Sequence, residues 1–273
     1  MSSSGYQSAE VERWQLNDEQ LQHEIAVDYL AQEVPVALVF NGIAHAVMLS
    51  TPLDLEDFAR GFALSEKIIE HSAQIYEIEI ASHTSSQGNQ GIEVRLEIAS
   101  QAFQALKQKR RSLAGRTGCG LCGIESLAAL DIELPTIVEQ CGVTLATVWQ
   151  AQRDLRAQQI LNRATGSLHA AAWISLAGEI TLVREDVGRH NALDKLIGAL
   201  ALQDRVPGFC MLTSRASYEL VQKAARAQMP ILATVSAPTS LAVQMAQQAG
   251  LTLLGFVREQ RAVVYAHGQR ILT

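Results

Sequence analysis

The sequence predicts an α/β protein, with a three-layer α/β/α domain in its C-terminal half and a smaller α+β unit ahead of it. Three observations lead there. From about residue 170 onward, near-continuous apolar runs of strand length alternate with helical segments, the pattern of a parallel sheet covered on both faces. Before residue 100, two pairs of β-prone runs are separated by turn residues and read as antiparallel hairpins. Between the two regions lies a glycine-dense break, Gly115 to Gly123. The 273 residues are therefore divided into a small α+β unit over 1–114, a flexible Gly/Cys loop and linker over 115–141, and the layered domain over 142–273.

The elements follow in order. After a polar leader, Val34–Phe40 and Ile43–Leu49 flank Asn41-Gly42, a pair whose tolerance of positive φ suits a two-residue hairpin turn. Thr51-Pro52 offers an N-cap and a first-turn proline, with Asp54, Glu56 and Asp57 next and Phe58, Phe62, Leu64 and Ile68 at helical spacing. Tyr76–Ala81 and Ile92–Ile98 form a second alternating pair around a Ser/Gly/Asn/Gln loop. A helix from about Gln101 carries Lys107, Lys109, Arg110 and Arg111, a cluster that suits a solvated face as well as a docking patch. In the second domain a helix spans Thr144 to Gln159, and Ile174–Glu185 holds two short strands about Ala177-Gly178. Then come helix Asn191–Leu200, strand Phe209–Thr213, helix Tyr218–Gln228, strand Ile231–Val235, helix Leu241–Ala249, and strands Leu251–Val257 and Ala262–Ala266.

Composition narrows the function classes. With 48% apolar and 18% charged residues, the chain can bury a proper core. Its net charge of −6 argues against sequence-independent binding of a nucleic-acid backbone. No apolar run approaches membrane-spanning length, and Met1 to Glu12 lacks the basic and then apolar pattern of a secretory signal, so no membrane association and a cytoplasmic location are expected. The four cysteines fall as one close pair, Cys119 and Cys122, plus the solitary Cys141 and Cys210, which is not a disulfide framework.

Ligands of open α/β sheets sit outside the carboxyl ends of the strands, so the strand-to-helix turns are the first candidates. They are Glu185-Asp186-Val187-Gly188-Arg189-His190-Asn191, Ser214-Arg215-Ala216-Ser217 and Ser236-Ala237-Pro238-Thr239-Ser240. Hydroxyls, helix N-termini and a guanidinium suit an anionic or nucleotide-like ligand. Ser217 and Ser240 taken alone read as helix caps, whereas Arg189 and His190 beside two carboxylates read as ligand-binding, with a structural ion pair as the plain alternative.

Gly115-Arg116-Thr117-Gly118-Cys119-Gly120-Leu121-Cys122-Gly123 is the richest segment. It satisfies a dinucleotide fingerprint only formally, because Lys109-Arg110-Arg111-Ser112 and not a buried strand precedes it. A structural zinc site lacks two further ligands at matching spacing, unless His169 or His190 is recruited. Thiol chemistry remains: four glycines leave the sulfurs poorly covered, and Arg116 with the upstream cations favours the thiolate. An exposed glycine turn with two incidental cysteines is the plain alternative.

Three stretches resemble the FdhD family of formate dehydrogenase accessory sulfurtransferases: Gly115 to Gly123 as written above, His169-Ala170-Ala171-Ala172-Trp173, and Glu185-Asp186-Val187-Gly188-Arg189-His190-Asn191-Ala192-Leu193-Asp194-Lys195. The hairpin from Glu33 to Gly42 and the run Ser214 to Glu219 are similar too, so the likeness covers nearly the whole chain. The resemblance implies a sulfur carrier that accepts persulfide sulfur from a cysteine desulfurase. It would deliver that sulfur to the molybdenum bis(molybdopterin guanine dinucleotide) cofactor, held as a substrate, for formate dehydrogenase. Cys119 would bear the persulfide and Cys122 would assist. The family's larger domain is similar to cytidine deaminase, but Ala170-Ala171 after His169 breaks the deaminase zinc signature, so neither deamination nor a tightly bound metal is expected.

The same resemblance assigns the guanine dinucleotide to Phe256, Val257, Arg258, Glu259, Gln260 and Arg261. Here the family pattern Phe-Cys-Lys-Pro-Gly-Arg keeps its outer Phe256 and Arg261, retains a cation at Arg258, and has Glu259-Gln260 in place of Pro-Gly. Arg189, His190, Ser214, Arg215 and His169 complete the expected cofactor-binding set, and family analogy adds a homodimer. Two further readings stand beside this one: a cofactor-binding chaperone that transfers no sulfur, and a thiol–disulfide oxidoreductase, which the missing Trp-Cys-Gly-Pro-Cys context disfavours.

Overall fold

The computed structural model describes residues 4–17, 20–84, 90–113, 134–139 and 141–272. Two main sheets dominate. The first has four strands in the order β4-β3-β6-β5, from β3 (Val34–Phe40), β4 (Ile43–Ser50), β5 (Ile75–Thr84) and β6 (Gln90–Ile98). Both hairpins expected from the sequence are present, and β3 runs parallel to β6 at the centre. One face of this sheet packs on α1 (Leu55–Ser65) and α2 (Ser100–Leu113), with Val36, Leu38, Phe40, Val94, Leu96 and Phe58 buried between them.

The helix after β4 does not start where the sequence places it. Thr51 and Pro52 stay outside it, and Asp54 takes the N-cap position in a left-handed conformation at φ 52° without a side-chain cap. Thr51 is drawn away by a distant partner: its backbone N–H and its hydroxyl both donate to Asp186 Oδ2, at 3.0 and 3.1 Å.

The second sheet has six strands in the order β13-β12-β11-β10-β8-β9. These are β8 (His169–Ser175), β9 (Ile180–Asp186), β10 (Gly208–Leu212), β11 (Ile231–Thr234), β12 (Thr252–Arg258) and β13 (Arg261–Ala266). On one face lie α5 (Arg189–Leu200), α6 (Tyr218–Arg226) and α7 (Ser240–Ala249), burying Trp173, Cys210, Leu212, Leu232 and Leu253. On the other lies α3 (Leu145–Gln158), against Ile174, Phe209, Met211, Ala233 and Leu254. Successive strand residues point to opposite layers, so each central strand is apolar throughout. A short strand β7 (Val143–Thr144) pairs in parallel with β14 (Ile271–Leu272) at the margin of the α3 layer.

The α/β/α layering matches the sequence expectation, but the sheet is mixed. Only β10, β11 and β12 are paired in parallel, while β8 is antiparallel to both neighbours and β13 is antiparallel to β12. The cause is connection length: the turns from β8 to β9 and from β12 to β13 are too short for a crossover, so those neighbours must be antiparallel. Apolar runs buried on both faces do not report strand direction.

Three smaller differences have equally local causes. The leader is not irregular: β1 (Tyr6–Asn17) and β2 (Gln20–Ala31) form a long antiparallel hairpin. A short helix α4 (Ile160–Thr165) follows α3. The cap of α7 is Thr239, whose hydroxyl accepts the Ala242 N–H at 3.3 Å, so Ser240 becomes its first helical residue. Among the described residues, no helix is long and apolar enough to cross a membrane.

Helices α1 and α5 lock the two sheets together. A Cβ on Gly61 would lie 1.7 Å from the Asp194 carbonyl oxygen, and one on Gly198 would lie 1.9 Å from that of Asp57. The two backbones therefore touch at a distance only glycine permits. Buried ion pairs flank the crossing. Lys195 Nζ stands 2.7 Å from Asp186 Oδ2 on one side, and Lys223 Nζ stands 3.0 Å from both Asp194 oxygens on the other, with Ser65 Oγ and Glu66 Oε1 each 2.8 Å away. Gly198→Ala should lower the unfolding free energy by about 1–3 kcal/mol through overpacking against backbone. An unchanged denaturation midpoint in a urea titration would contradict this packing.

Candidate functional site at the carboxyl edge of the six-stranded sheet

Strands β9, β10, β11 and β12 all end at one edge of the sheet, and β8, running the other way, begins there. His169, at the start of β8, pairs with Asp186, at the end of β9. The turns holding Gly188 to Asn191, Ser214 to Ser217 and Ser236 to Thr239 therefore line up with the β12–β13 turn along one border. At roughly 4.8 Å per strand, that border measures about 20 Å from β12 to β9. Its turns are knitted to one another: Ser236 N–H donates to the Ser214 carbonyl, Thr239 N–H to that of Ala216, and Phe256 N–H to that of Ser236.

The run from Glu185 to Lys195 divides by direction. Asp186 is fully buried and collects Ser50 Oγ at 2.6 Å, both Thr51 donors, the Gly188 N–H at 2.8 Å, Asn191 Nδ2 at 3.0 Å and the Lys195 ammonium. Burial pushes the Lys195 amine below its ordinary value, and Asp186 opposes that shift. Glu185 accepts the Leu161 and Asn162 N–H groups at the start of α4, at 2.9 and 2.8 Å. Asn191 also donates to the Leu49 carbonyl at 2.7 Å. These residues hold the turn and dock the four-stranded sheet, which leaves Arg189 and His190, in the first turn of α5, to serve the edge.

Among the described residues, the Arg189 Nε–H is buried without an acceptor. A guanidinium left partly unsatisfied beside a helix N-terminus is a ready partner for an anionic oxygen. His190 Nε2 lies 2.7 Å from Glu219 Oε2 and 3.4 Å from Ser217 Oγ. Its Nε2 is thereby assigned the proton, donated to Glu219, with Nδ1 as the free lone pair. Burial pushes the His190 imidazole below its ordinary value; Glu219 opposes this, while Arg189 and Lys223 reinforce it. His169 is also lowered, first by burial and then by Arg189. Ser217 precedes α6 in the N-cap position but forms no side-chain cap, because its hydroxyl is turned toward His190 and Glu219.

The remaining candidates divide similarly. Ser214 is buried and donates to the Arg215 carbonyl at 3.0 Å, whereas the Arg215 side chain is exposed. At the far end, Phe256 sits at φ 53° and the Arg261 guanidinium lies 5.3 Å from its ring centroid. Arg258 pairs with Arg261 across the turn, and its Nε–H donates to the Val235 carbonyl at 3.1 Å. Glu259 and Gln260 form that turn, exposed, with Glu259 at φ 50°; a proline there is held near φ −65°, so the turn's backbone differs from one made with the family's Pro-Gly. The Val257 side chain is wholly buried in the α3-side core, so only its backbone can face a ligand.

Cys119 and Cys122 lie outside the described residues. The described chain resumes at Leu134, which packs into the core beneath α5, α6 and α7, and Ile137 N–H donates to the Ala249 carbonyl at the opposite, amino edge of the sheet. A cavity of about 560 Å³ opens at that edge, lined in part by Leu64, Pro135, Ile197, Arg205, Arg226 and Met229. Of the two other cysteines, Cys210 is buried and its thiol is held far above its ordinary range by desolvation, and Cys141 is raised by burial and by Glu139, so neither is a competing thiolate. Among the described residues, no three His, Cys, Asp or Glu side chains stand close enough to hold a metal ion. Glu219 is the contact that sequence reasoning did not assign; its position in the first turn of α6, two residues past Ser217, was the available signal.

The model of the FdhD/NarQ family matches residues 31–272. A protein named sulfur carrier protein FdhD from Variovorax paradoxus is 55% identical over 247 residues, covering 89% of this chain and 87% of its own. Its namesake from Cupriavidus necator is 54% identical over 264 residues, 96% of this chain and 88% of its own. The crystal structure of a protein described as a formate dehydrogenase accessory protein from Desulfotalea psychrophila superposes with a TM-score of 0.72 at 23% identity, over 97% of this chain and 99% of the other, and so has the same fold.

Because both imidazoles have lower pKa values folded than unfolded, the unfolded chain binds more protons once the pH drops below about 6.5. Stability should therefore fall as the pH is lowered from 7 toward 5, and His190→Gln should flatten that fall. Urea midpoints measured across this range check it; a variant as acid-sensitive as the parent would remove His190 from the account.

Proposed function

The chain belongs to the FdhD/NarQ family, and on that premise we propose that it is a sulfur carrier in the maturation of formate dehydrogenase. The observation that carries this reading is the likeness to the sulfur carrier proteins, 55% identity across 89% of the chain, which spans the Cys119/Cys122 segment as well as both sheets. In this reading the Cys119 thiolate attacks the outer sulfur of a cysteine desulfurase persulfide. The desulfurase S–S bond breaks, its cysteine leaves as thiolate, and Cys119 holds the sulfane sulfur as a persulfide. The acceptor is the molybdenum bis(molybdopterin guanine dinucleotide) cofactor, bound as cargo at the carboxyl edge.

The chain's own residues have distinct tasks in this scheme. Arg189 and the first turn of α5 meet a phosphate oxygen, with the exposed Arg215 as a second cation near it. Phe256 and Arg261 at the other end of the border form a cation–π pair, a ring and a guanidinium on whose open face a guanine base can stack. His169 and His190, both shifted toward the neutral form, can each accept one proton near the cargo and become imidazolium in doing so. Cys122 supplies the electrons for release: its thiolate attacks the inner sulfur of the Cys119 persulfide, a Cys119–Cys122 disulfide forms, and hydrosulfide leaves. A cellular dithiol must then reduce the pair. Cys122 stands twelve residues before Leu134, a reach of about 40 Å when extended at roughly 3.3 Å per residue, enough to pass from the amino edge to the carboxyl edge.

Intact-protein mass spectrometry after incubation with a cysteine desulfurase and cysteine should show a reducible gain of one sulfur atom that Cys119→Ala abolishes. That variant should also fail to restore a sulfur-deficient formate dehydrogenase. Full rescue by Cys119→Ala would leave the chain a cofactor chaperone instead. Separately, Phe256→Ala and Arg261→Ala should each weaken binding of guanosine diphosphate about 5- to 100-fold, the loss expected for one base-stacking contact. Calorimetric titration giving parental affinity in both variants would remove that end of the border from the site.

A further inference from the structure

Helices α5 and α6 cross their charged partners. Within α5, His190 and Asp194 stand four residues apart, and within α6 so do Glu219 and Lys223, the spacing at which opposite charges pair along one helix. The partners are instead drawn from the other helix. Lys223 stands 3.0 Å from Asp194 and 2.8 Å from Glu66, and Glu219 stands 2.7 Å from His190. The register of α6 on α5 thus stacks two cross-helix pairs one turn apart. The inner pair is sealed, with the Asp194 and Lys223 side chains 2% and 7% exposed. The outer pair lies in the first turns of both helices, at the carboxyl edge, and remains open, with His190 27% and Glu219 18% exposed. A ligand and a proton can reach the outer pair, but not the inner one.

The groups around the His190 ring decide when it carries a second proton. Arg189 on its own helix, Lys223 on α6 and burial all oppose the charged ring, and Glu219 favours it. On β8, His169 stands at the same edge and is itself held down by burial and Arg189. At the end of β9, Asp186 is matched by Lys195, and just past α1, Glu66 is matched by Lys223. Glu219 is therefore the one carboxylate left to balance a charged ring. Its own charge is supported by the N-terminal turn of α6, by Ser217 Oγ at 3.3 Å and by a hydrogen bond with the Tyr218 side chain. With Nε2–H donated to Glu219, a further proton enters at Nδ1, and imidazolium then has a second N–H to give. A diphosphate oxygen at this edge is the matching acceptor.

We propose that Glu219 is a positioning residue of the carboxyl-edge site: by holding the His190 Nε2–H, it leaves Nδ1 to take a proton from solvent and donate it to a diphosphate oxygen of the cargo. The assignment rests on the cargo-binding reading above. The probe is guanosine diphosphate mannose, whose diphosphate is esterified at both ends and so lacks the proton that a terminal phosphate releases at about pH 6. Calorimetric titration of the full chain should show its affinity rising at least about 10-fold from about pH 8 to about pH 5.5, the gain of one hydrogen bond to a charged group. His190→Gln should remove most of that rise, the remainder belonging to His169. Glu219→Gln keeps an acceptor and loses the charge, so it should move the rise at least about one pH unit lower. The double variant should follow His190→Gln. A contact that only braces the two helices would instead weaken binding by one factor at every pH. In the parent chain at about pH 8, the ring nitrogen shifts of the histidine resonance missing from His190→Gln should report the Nε2–H tautomer. An Nδ1–H tautomer, a Glu219→Gln profile parallel to the parental one, or a double variant that loses more of the pH dependence than His190→Gln alone overturns the assignment and leaves the cargo site in place. A parent chain that does not bind the probe overturns the cargo site and the assignment together.

Discussion

The buried carboxylate of Asp186 is the point through which the architecture is tied. It is wholly inaccessible, yet it gathers donors from two regions of the chain: Ser50 and Thr51 from the end of β4, and Gly188, Asn191 and Lys195 from the turn and first turns of α5. A carboxylate with that many donors is satisfied without water, and one ammonium cancels its charge. Removing either charge of such a pair strands the other, which is why breaking a buried pair costs far more than the pair contributes net. The arrangement fixes the relation of the four-stranded sheet to α5 and, through α5, the direction in which Arg189 and His190 leave the helix.

The Gly61–Gly198 contact makes that network possible. Only when α1 and α5 touch backbone to backbone can short side chains from the end of β4 reach the end of β9, and can Ser65 at the end of α1 reach Asp194 and Lys223. The two buried pairs sit on either side of the crossing and resist rotation of one helix over the other. Arg184 adds a third tie, donating through Nε and Nη2 to Asp57 Oδ2 at 3.0 and 2.8 Å. Under the function proposed above, a rigid seam of this kind suits an edge that holds a large cargo in one orientation, because a site built on fixed elements loses less freedom on binding.

What could be read from the sequence, and what could not, follows the distance over which each signal acts. Asn41-Gly42 and the helix start at Thr144 were legible because turn chemistry and capping are decided within a few residues. Thr51-Pro52 misled because Thr51 is claimed by Asp186, 135 residues away. The layered domain was legible in its apolar alternation, whereas the antiparallel directions of β8 and β13 depend on connection length rather than on hydrophobicity. The hairpin of β1 and β2 escaped notice because its apolar residues face solvent, so the stretch reads as polar overall. At the edge, residue types pointed correctly to a polar border, but Glu185, Asp186 and Asn191 look the same in sequence whether they bind a ligand or hold a turn. Only their partners separate the two roles.

Charge supplies the last link between the fold and the proposed cargo. The chain as a whole carries −6, which repels polyanions at long range. Along the carboxyl edge the balance reverses: Arg189, Arg215, Arg258 and Arg261 project there, Asp186 is neutralised by Lys195, and Glu185 is consumed by the start of α4. Of the remaining carboxylates on these turns, Glu219 is engaged by His190 and Glu259 stands at the exposed outer turn. Since a Debye length at physiological salt is only about 8 Å, an anionic ligand within reach of this border feels the local arginines more than the distant net charge. A net acidic chain with a cationic border at this edge disfavours nonspecific binding of nucleic acid while offering the dinucleotide-bearing cargo proposed above a place to settle. That selectivity requires the acidic side chains at the border to be spent on internal contacts, which is what the Asp186 network accomplishes.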